Sequence, residues 1–90
     1  MHSAVFTKGV ALRIEESEDF IIQVLEAMYR FTLSDWGDVG AVDWAQNDLA
    51  RRPLIKGEGG RIIAAYGEGE DKIWIIADLE AVTILFPSEY

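Results

Sequence analysis

Residues 61–86 read RIIAAYGEGEDKIWIIADLEAVTILF, a segment typical of a β-meander. The segment contains three runs dense in isoleucine, valine and aromatic residues, the types that favour strands: 61–66, 72–77 and 81–86. The residues that separate these runs, GEGED at 67–71 and DLE at 78–80, have the length and composition of hairpin loops. The segment therefore predicts three sequential antiparallel strands.

The residues that precede this segment predict a further strand and a long helix. Residues 5–14, VFTKGVALRI, are rich in β-branched types and predict a strand with Gly9 as a bulge or bend. Residues 18–32 predict a helix, since apolar residues recur there every three or four positions. Ser17 is the expected N-cap of this helix, because its side-chain oxygen can accept a hydrogen bond from a free backbone N–H in the first turn.

A second, shorter helix is predicted at residues 43–52. Asp43 is its expected cap, and Trp44 and Leu49 are its expected apolar anchors. Pro53 is expected to lie just beyond the end of this helix, because proline interrupts the helical hydrogen-bond pattern.

The predicted order of elements, β-α-α-β-β-β, indicates a two-layer α+β fold in which helices pack on an antiparallel sheet of three to four strands. The chain has 90 residues, so residues 1–90 are expected to form a single domain. Whether the first strand joins the edge of the meander is left open. The expected core comprises Ile21, Val24, Leu25, Met28, Ile63, Ile73, Ile75, Val82 and Ile84.

Composition restricts the classes of function. The chain has no cysteine and a single histidine, His2, so disulfides, thiolate metal sites and cysteine nucleophiles are excluded. Sixteen acidic and eight basic residues give a formal net charge of −8, which opposes binding to nucleic acid and to anionic membranes. No signal peptide or apolar run of membrane-spanning length is evident, so we expect a cytoplasmic protein.

The candidate groups for metal or phosphate chemistry have simpler interpretations. Four aspartates, Asp35, Asp38, Asp43 and Asp48, lack the alternating spacing of a calcium loop and are interpreted as caps and solvated loop charges. Two Gly-Glu-Gly segments, 57–59 and 67–69, precede strands rather than helices and are interpreted as hairpin connections. With no base placed to activate a nucleophile, the sequence predicts a chain without enzymatic activity and without a cofactor.

The strongest functional signal is a set of acidic residues near an aromatic one. Trp36, between Asp35 and Gly37, is a candidate anchor on the surface, and the alternative is that it locks its own loop onto the sheet. The acidic residues expected to attract a basic protein partner are Asp35, Asp38, Glu15, Glu16, Glu18, Asp19, Glu68, Glu70 and Asp71. The alternative is that this charge serves solubility alone.

Five short pieces of the C-terminal two-thirds of the chain also form a pattern. They are DWGD at 35–38, Asn47, GRIIAAY at 60–66, KIWII at 72–76 and TILFPSEY at 83–90. This pattern resembles a group of short bacterial proteins labelled plasmid-related or hypothetical, which occur on plasmids, integrative elements and phages. Ser88 stands where the pattern of that group has an acid. The resemblance implies a mobile genetic element as context and carries over no activity, cofactor or catalytic residue.

Charge, size and this context together suggest a protein-binding domain that inhibits a nucleic-acid-handling host defence protein, of the anti-CRISPR or anti-restriction type. A folded anionic surface could compete for the basic groove that such a protein offers to nucleic acid. The alternative is an accessory protein that self-associates as a homodimer, because the long helix carries more apolar residues than one face needs.

Overall fold

The computed structural model describes residues 3–90, so His2 lies outside the described part of the chain. Three helices pack on one four-stranded sheet, which confirms the α+β class; the order of elements is β-α-α-α-β-β-β. The elements are β1 (Ala4–Phe6), α1 (Lys8–Glu16), α2 (Glu18–Thr32), α3 (Ala41–Ile55), β2 (Ile62–Tyr66), β3 (Ile73–Ala77) and β4 (Val82–Leu85). Short 3₁₀ turns occupy Gly69–Asp71 and Pro87–Glu89.

The strands lie in the order β1-β4-β3-β2. The predicted antiparallel meander is confirmed: Ile75, at the centre of β3, is paired with Ala64 on one side and with Ile84 on the other. The first strand does join the sheet, where β1 runs parallel to β4 with Val5 paired to Thr83. The sheet is therefore mixed.

The strand predicted at residues 5–14 is wrong beyond its first residues. The backbone leaves the sheet after Phe6 and residues 8–16 form α1. Val10 is completely buried and Ile14 packs against the core, a spacing of four residues that suits one face of a helix. Gly9 is a helical residue rather than a bulge, and it lies so close to the Glu89 carboxylate that a Cβ there would collide with it.

The helix predicted at 18–32 is confirmed as α2, and Ser17 caps it by accepting a hydrogen bond from the Phe20 N–H at 3.1 Å. Its orientation differs from the expectation, because the buried residues are Phe20, Val24 and Ala27. Leu25, expected in the core, is 59% exposed. A neighbouring residue on a helix points about 100° away, so burying Val24 directs Leu25 toward solvent.

The helix predicted at 43–52 extends further in both directions, as α3. Gly40 precedes its first turn, so Asp43 lies inside that turn rather than at the cap. Pro53 lies within the last turn rather than beyond the helix, and Glu58 N–H donates to its carbonyl oxygen at 2.9 Å. Leu49 is 79% exposed, and the buried anchor of α3 is Leu54.

The core lies between the helices and one face of the sheet. The alternating residues that line this face are Ile62, Ala64, Tyr66, Ile73, Ile75, Ala77 and Ile84. Ile63, expected in the core, is only half-buried, because successive residues of a strand point to opposite faces. Ile21 is also half-buried, whereas Met28 and Val82, though half-buried, pack against the core as expected. No helix within residues 3–90 is long and apolar enough to cross a membrane.

Candidate protein-binding surface

The connection between β2 and β3, residues 67–72, is fixed against the first two helices. Arg13 of α1 forms an ion pair with the Asp71 carboxylate, and the Gln23 side chain of α2 donates to the Asp71 carbonyl oxygen at 2.6 Å. Gly67 has φ +84° and packs against the Gln23 amide, an approach that leaves no space for a Cβ. These contacts hold an acidic loop beside the α1–α2 junction.

A second set of contacts holds the segment that follows α2. The Arg30 guanidinium binds both carboxylate oxygens of Asp35, at 2.8 and 3.2 Å. The hydrogen bonds from Arg30, together with one from the Gly37 N–H at 3.1 Å, hold the pKa of Asp35 below its usual range. The hydrogen bonding between Arg30 and Asp35 also raises the pKa of Arg30. The Tyr66 hydroxyl donates to the Asp35 carbonyl at 2.8 Å, and burial raises its pKa. Asp35 is therefore a locally paired carboxylate.

Asp38 connects this segment with the acidic loop. Its carboxylate lies 3.8 Å from the Lys72 ammonium, and it is exposed. Asp38 also lines a polar cleft, and Glu68 and Arg30 line the same cleft. The 35–38 segment and the β2–β3 connection therefore meet at the same place on the surface.

Five of the nine acidic residues singled out from the sequence lie in this connection or in the 35–38 segment that meets it: Asp35, Asp38, Glu68, Glu70 and Asp71. Asp19 lies one helical turn before Gln23, and Glu16 lies one turn after Arg13, so these two carboxylates are close to the residues that contact Asp71. Glu15 and Glu18 belong to the same two helices but do not share a helix face with Arg13 or Gln23. Within residues 3–90 the ion pairs use Asp35, Asp38 and Asp71. The remaining members are exposed and form none of these pairs: Glu15, Glu16, Glu18, Asp19, Glu68 and Glu70. We call Glu16, Asp19, Asp35, Asp38, Glu68, Glu70 and Asp71 together the acidic end.

Trp36 does not belong to this surface, and its prediction as an exposed anchor is wrong. Its side chain is 1% exposed, and its indole N–H donates to the Asp48 carboxylate at 2.9 Å. The Phe31 ring packs edge-on against it with 5.3 Å between centroids. The cause is the pairing of its segment with the sheet, which turns the ring inward, so the alternative interpretation as a lock for its own loop agrees with the structure.

That segment also seals the outer edge of β2. Ala65 N–H donates to the Trp36 carbonyl at 3.1 Å, and Asp38 N–H donates to the Ala65 carbonyl at 2.7 Å. Gly37, at φ +75°, lies directly against the Ala65 carbonyl, where a Cβ could not fit. The edge is completed by Asn47 of α3, whose amide accepts from Ile63 N–H and donates to Ile63 O.

The sequence did not predict the roles of Arg30, Tyr66 and Asn47 as the residues that position this region. Asn47 is 5% exposed, and a polar residue inside an amphipathic helix is a signal that could have drawn attention to it. For Arg30 and Tyr66, the contacts with Asp35 span 5 and 31 positions, and the longer one has no local signature.

The groups considered from the sequence for metal or phosphate chemistry lie in helix turns and in connections between elements. In the part of the chain that the structure describes, no group of three or more histidine or acidic side chains is arranged to hold a metal ion. Residues 67–69 lie in the hairpin connection as predicted, whereas residues 57–59 join α3 to β2 and are not a hairpin. Asp43 lies in the first turn of α3.

Comparison of the chain with protein-family models, curated proteins and solved structures gives no match.

Proposed function

We propose that this chain is a non-enzymatic, acidic protein-binding domain whose acidic end docks on a basic surface of a partner protein. The observation that carries the proposal is the gathering of separate acidic segments around residues 67–72. The nearby cations Arg13, Arg30 and Lys72 are already paired within the chain. The carboxylates that remain are free to attract an external cationic surface.

The partner class that suits this surface is a protein that handles nucleic acid, since its groove is basic to bind phosphates. The resemblance to proteins of plasmids, integrative elements and phages favours a host defence protein, of the CRISPR or restriction type, in the cytoplasm. A folded domain with a formal charge of −8 would compete for that groove without chemistry on either partner. Direct binding to nucleic acid or membrane is not part of this proposal.

The test compares two triple variants of equal net charge. Glu16→Gln, Glu68→Gln and Glu70→Gln remove charge from the acidic end, and the control set removes it elsewhere: Asp43→Asn, Glu58→Gln and Glu80→Gln. Affinity for a basic nucleic-acid-handling enzyme is measured from about 50 to 300 mM salt.

We expect the acidic-end variant to bind about tenfold more weakly at low salt and the control variant to bind nearly as wild type, because local charges act over about a Debye length. Equal losses in both variants would show that only net charge matters. Absence of binding at low salt to enzymes of both the CRISPR and restriction classes would contradict the proposed partner class.

A homodimer is the second candidate, and one observation favours it. Ile22, Leu25 and Tyr29 follow helical spacing on the outer side of α2 and are 55%, 59% and 66% exposed. Leu33, directly after the helix, is 61% exposed. Sedimentation should then show dimers that Leu25→Glu converts to monomers, and a purely monomeric wild-type chain across the micromolar range would contradict this candidate.

A further inference from the structure

A largely apolar cavity of about 420 Å³ lies between the C-terminal halves of α2 and α3 and the adjoining face of the sheet. Trp36, Leu54 and Ile75, each at most 1% exposed, contribute to its wall, and Met28 and Phe31 contribute from α2. Ligand sites in proteins occupy roughly 300–1,000 Å³ and are mostly apolar with few polar groups. The size and lining of this cavity therefore suit a small, mainly apolar ligand.

The charged group in the lining is Arg51 of α3. Its side chain is exposed and forms none of the ion pairs or side-chain hydrogen bonds found within residues 3–90. The acidic residue one turn earlier on the helix, Asp48, accepts the Trp36 indole N–H instead. Arg51 thus presents an unpaired guanidinium beside an apolar cavity, and a guanidinium can bind a carboxylate through two parallel hydrogen bonds.

The charge around the cavity differs from that of the chain as a whole. Arg51, Arg52 and Lys56 occupy the last two turns of α3 and the position after it. Their charges outweigh the partial negative charge at a helix C-terminus, which is about half an elementary charge. Asp48 and Glu58 in the same stretch of chain offset part of this charge, and the excess of positive charge that remains would attract a small anion to a chain that otherwise repels anions.

We propose that this cavity binds a small amphipathic carboxylic acid. The hydrocarbon portion lies against Phe31 and Leu54, where it removes apolar surface from water. The carboxylate lies at the rim and pairs with Arg51. The site uses no residue of the acidic end, so it is independent of the proposed function.

The test uses three probes with the same hydrocarbon tail: octanoate, octanol and octylamine. Each is titrated into the full chain while the NMR signal of the Trp36 indole N–H is followed, because that ring contributes to the cavity wall. Octanoate should shift the signal saturably, octanol should bind about tenfold more weakly, and octylamine more weakly still. Trp74 of β3 lies between the core-facing Ile73 and Ile75 and so belongs to the opposite face of the sheet. Absence of a saturable shift, shifts centred on Trp74 instead, or equal affinities for all three probes would overturn the proposal.

Two adjacent substitutions provide the matched comparison. Arg51→Gln should weaken octanoate binding about tenfold and leave octanol binding unchanged, because only the ion pair is removed. Arg52→Gln removes the same charge from a residue outside the lining, so only a long-range attraction that solvent and salt screen is lost, and octanoate affinity should change less than about twofold. Both residues are exposed, so both variants retain the fold. Equal effects of the two substitutions, or no effect of Arg51→Gln, would overturn the assignment.

Discussion

Single buried or paired side chains determine how the outer parts of this molecule are held. Asn47 supplies two hydrogen bonds to the backbone of Ile63, and no other residue of the described chain takes its place there. Glu89 performs a similar role at the opposite side of the sheet, where its carboxylate accepts from the Thr7 hydroxyl at 2.6 Å, the Phe86 N–H at 2.8 Å and the Gly9 N–H at 3.1 Å. Both side chains satisfy backbone groups that the sheet and helices leave unpaired.

Replacement of Asn47 by alanine is expected to destabilise the fold by about 2–3 kcal/mol, because two partly buried backbone groups of Ile63 lose their partners. Urea unfolding measures the change, and amide hydrogen exchange should become faster at Ile63. Asn47→Asp is the control, since a carboxylate can still accept from the Ile63 N–H but cannot donate to its carbonyl. An alanine variant as stable as wild type would contradict the role assigned to Asn47.

The Glu89 carboxylate predicts a dependence of stability on pH. Partial burial raises its pKa, but the hydrogen bonds from Thr7, Phe86 and Gly9 prevail, and the pKa is lowered overall. A lowered pKa in the folded state means that the contribution to stability is complete above the ordinary glutamate pKa and is lost as the pH falls through the folded value.

At pH 7, Glu89→Gln should therefore cost about 1 kcal/mol, a value reduced by the exposure of the group. The difference between variant and wild type should diminish below about pH 4, where the unfolded glutamate becomes protonated. Thermal unfolding at pH 7 and pH 3 tests this. A difference that stays constant over that interval would contradict the carboxylate's role.

At the scale of elements, α2 is a helix with two apolar sides. Its inner side, with Phe20, Val24 and Ala27, packs on the sheet, and its outer side exposes Ile22 and Leu25. This doubling explains why the helix was correctly predicted but its buried side only in part: Val24 is buried as expected, whereas Leu25 is exposed. The choice between Val24 and Leu25 is made by the fit against the sheet, which periodicity alone does not contain.

The two adjacent residues provide a sensitive test of this orientation. Val24→Ala should destabilise the chain by about 1–3 kcal/mol, because it removes two methyl groups from a site that is 2% exposed. Leu25→Ala should change stability by less than about 0.5 kcal/mol, since most of that side chain already contacts solvent. Chemical denaturation of both variants measures the contrast, and a reversed order would show that the helix has a different face against the sheet.

Local signals therefore predicted the parts of the fold that local chemistry determines. The meander and the Ser17 cap follow from composition and from hydrogen bonding over three residues. The burial of Trp36 depends on pairing between residues 36–38 and Ala65, nearly thirty positions away. The formation of α1 in place of a strand depends on the packing of Val10 against the core. Of the candidate surface, the acidic residues were identified from sequence, but their common location depends on the contacts of Asp71 with Arg13 and Gln23.

On the scale of the whole molecule, charge is unevenly distributed. The acidic end gathers carboxylates around residues 67–72, whereas Arg51, Arg52 and Lys56 lie together at the end of α3. Concentrating like charges costs stability through repulsion. The acidic end therefore opposes folding, a cost that the proposed binding role would account for.

This repulsion predicts that charge removal stabilises the chain. The variant with Glu16→Gln, Glu68→Gln and Glu70→Gln should be more stable than wild type by about 0.5–1 kcal/mol at low salt, since each exposed like-charge contact contributes a few tenths. The gain should disappear near 0.5 M salt, where the Debye length is only about 4 Å. Thermal unfolding at the two salt concentrations tests this, and a destabilised variant at low salt would mean that these carboxylates make attractive contacts.

The sealed outer edge of β2 limits how copies of this chain can join through their sheets. On that side, the backbone groups of Ile63 and Ala65 are occupied by Asn47 and by residues 36–38, while β1 borders the sheet on the other side with β4 as its single neighbour within residues 3–90. A filament that grows by strand pairing requires two unpaired sheet edges on every subunit, and this sheet offers one, at β1. Strand-to-strand pairing of the native chain therefore terminates at two subunits, which protects this small, apolar-rich protein against fibre growth.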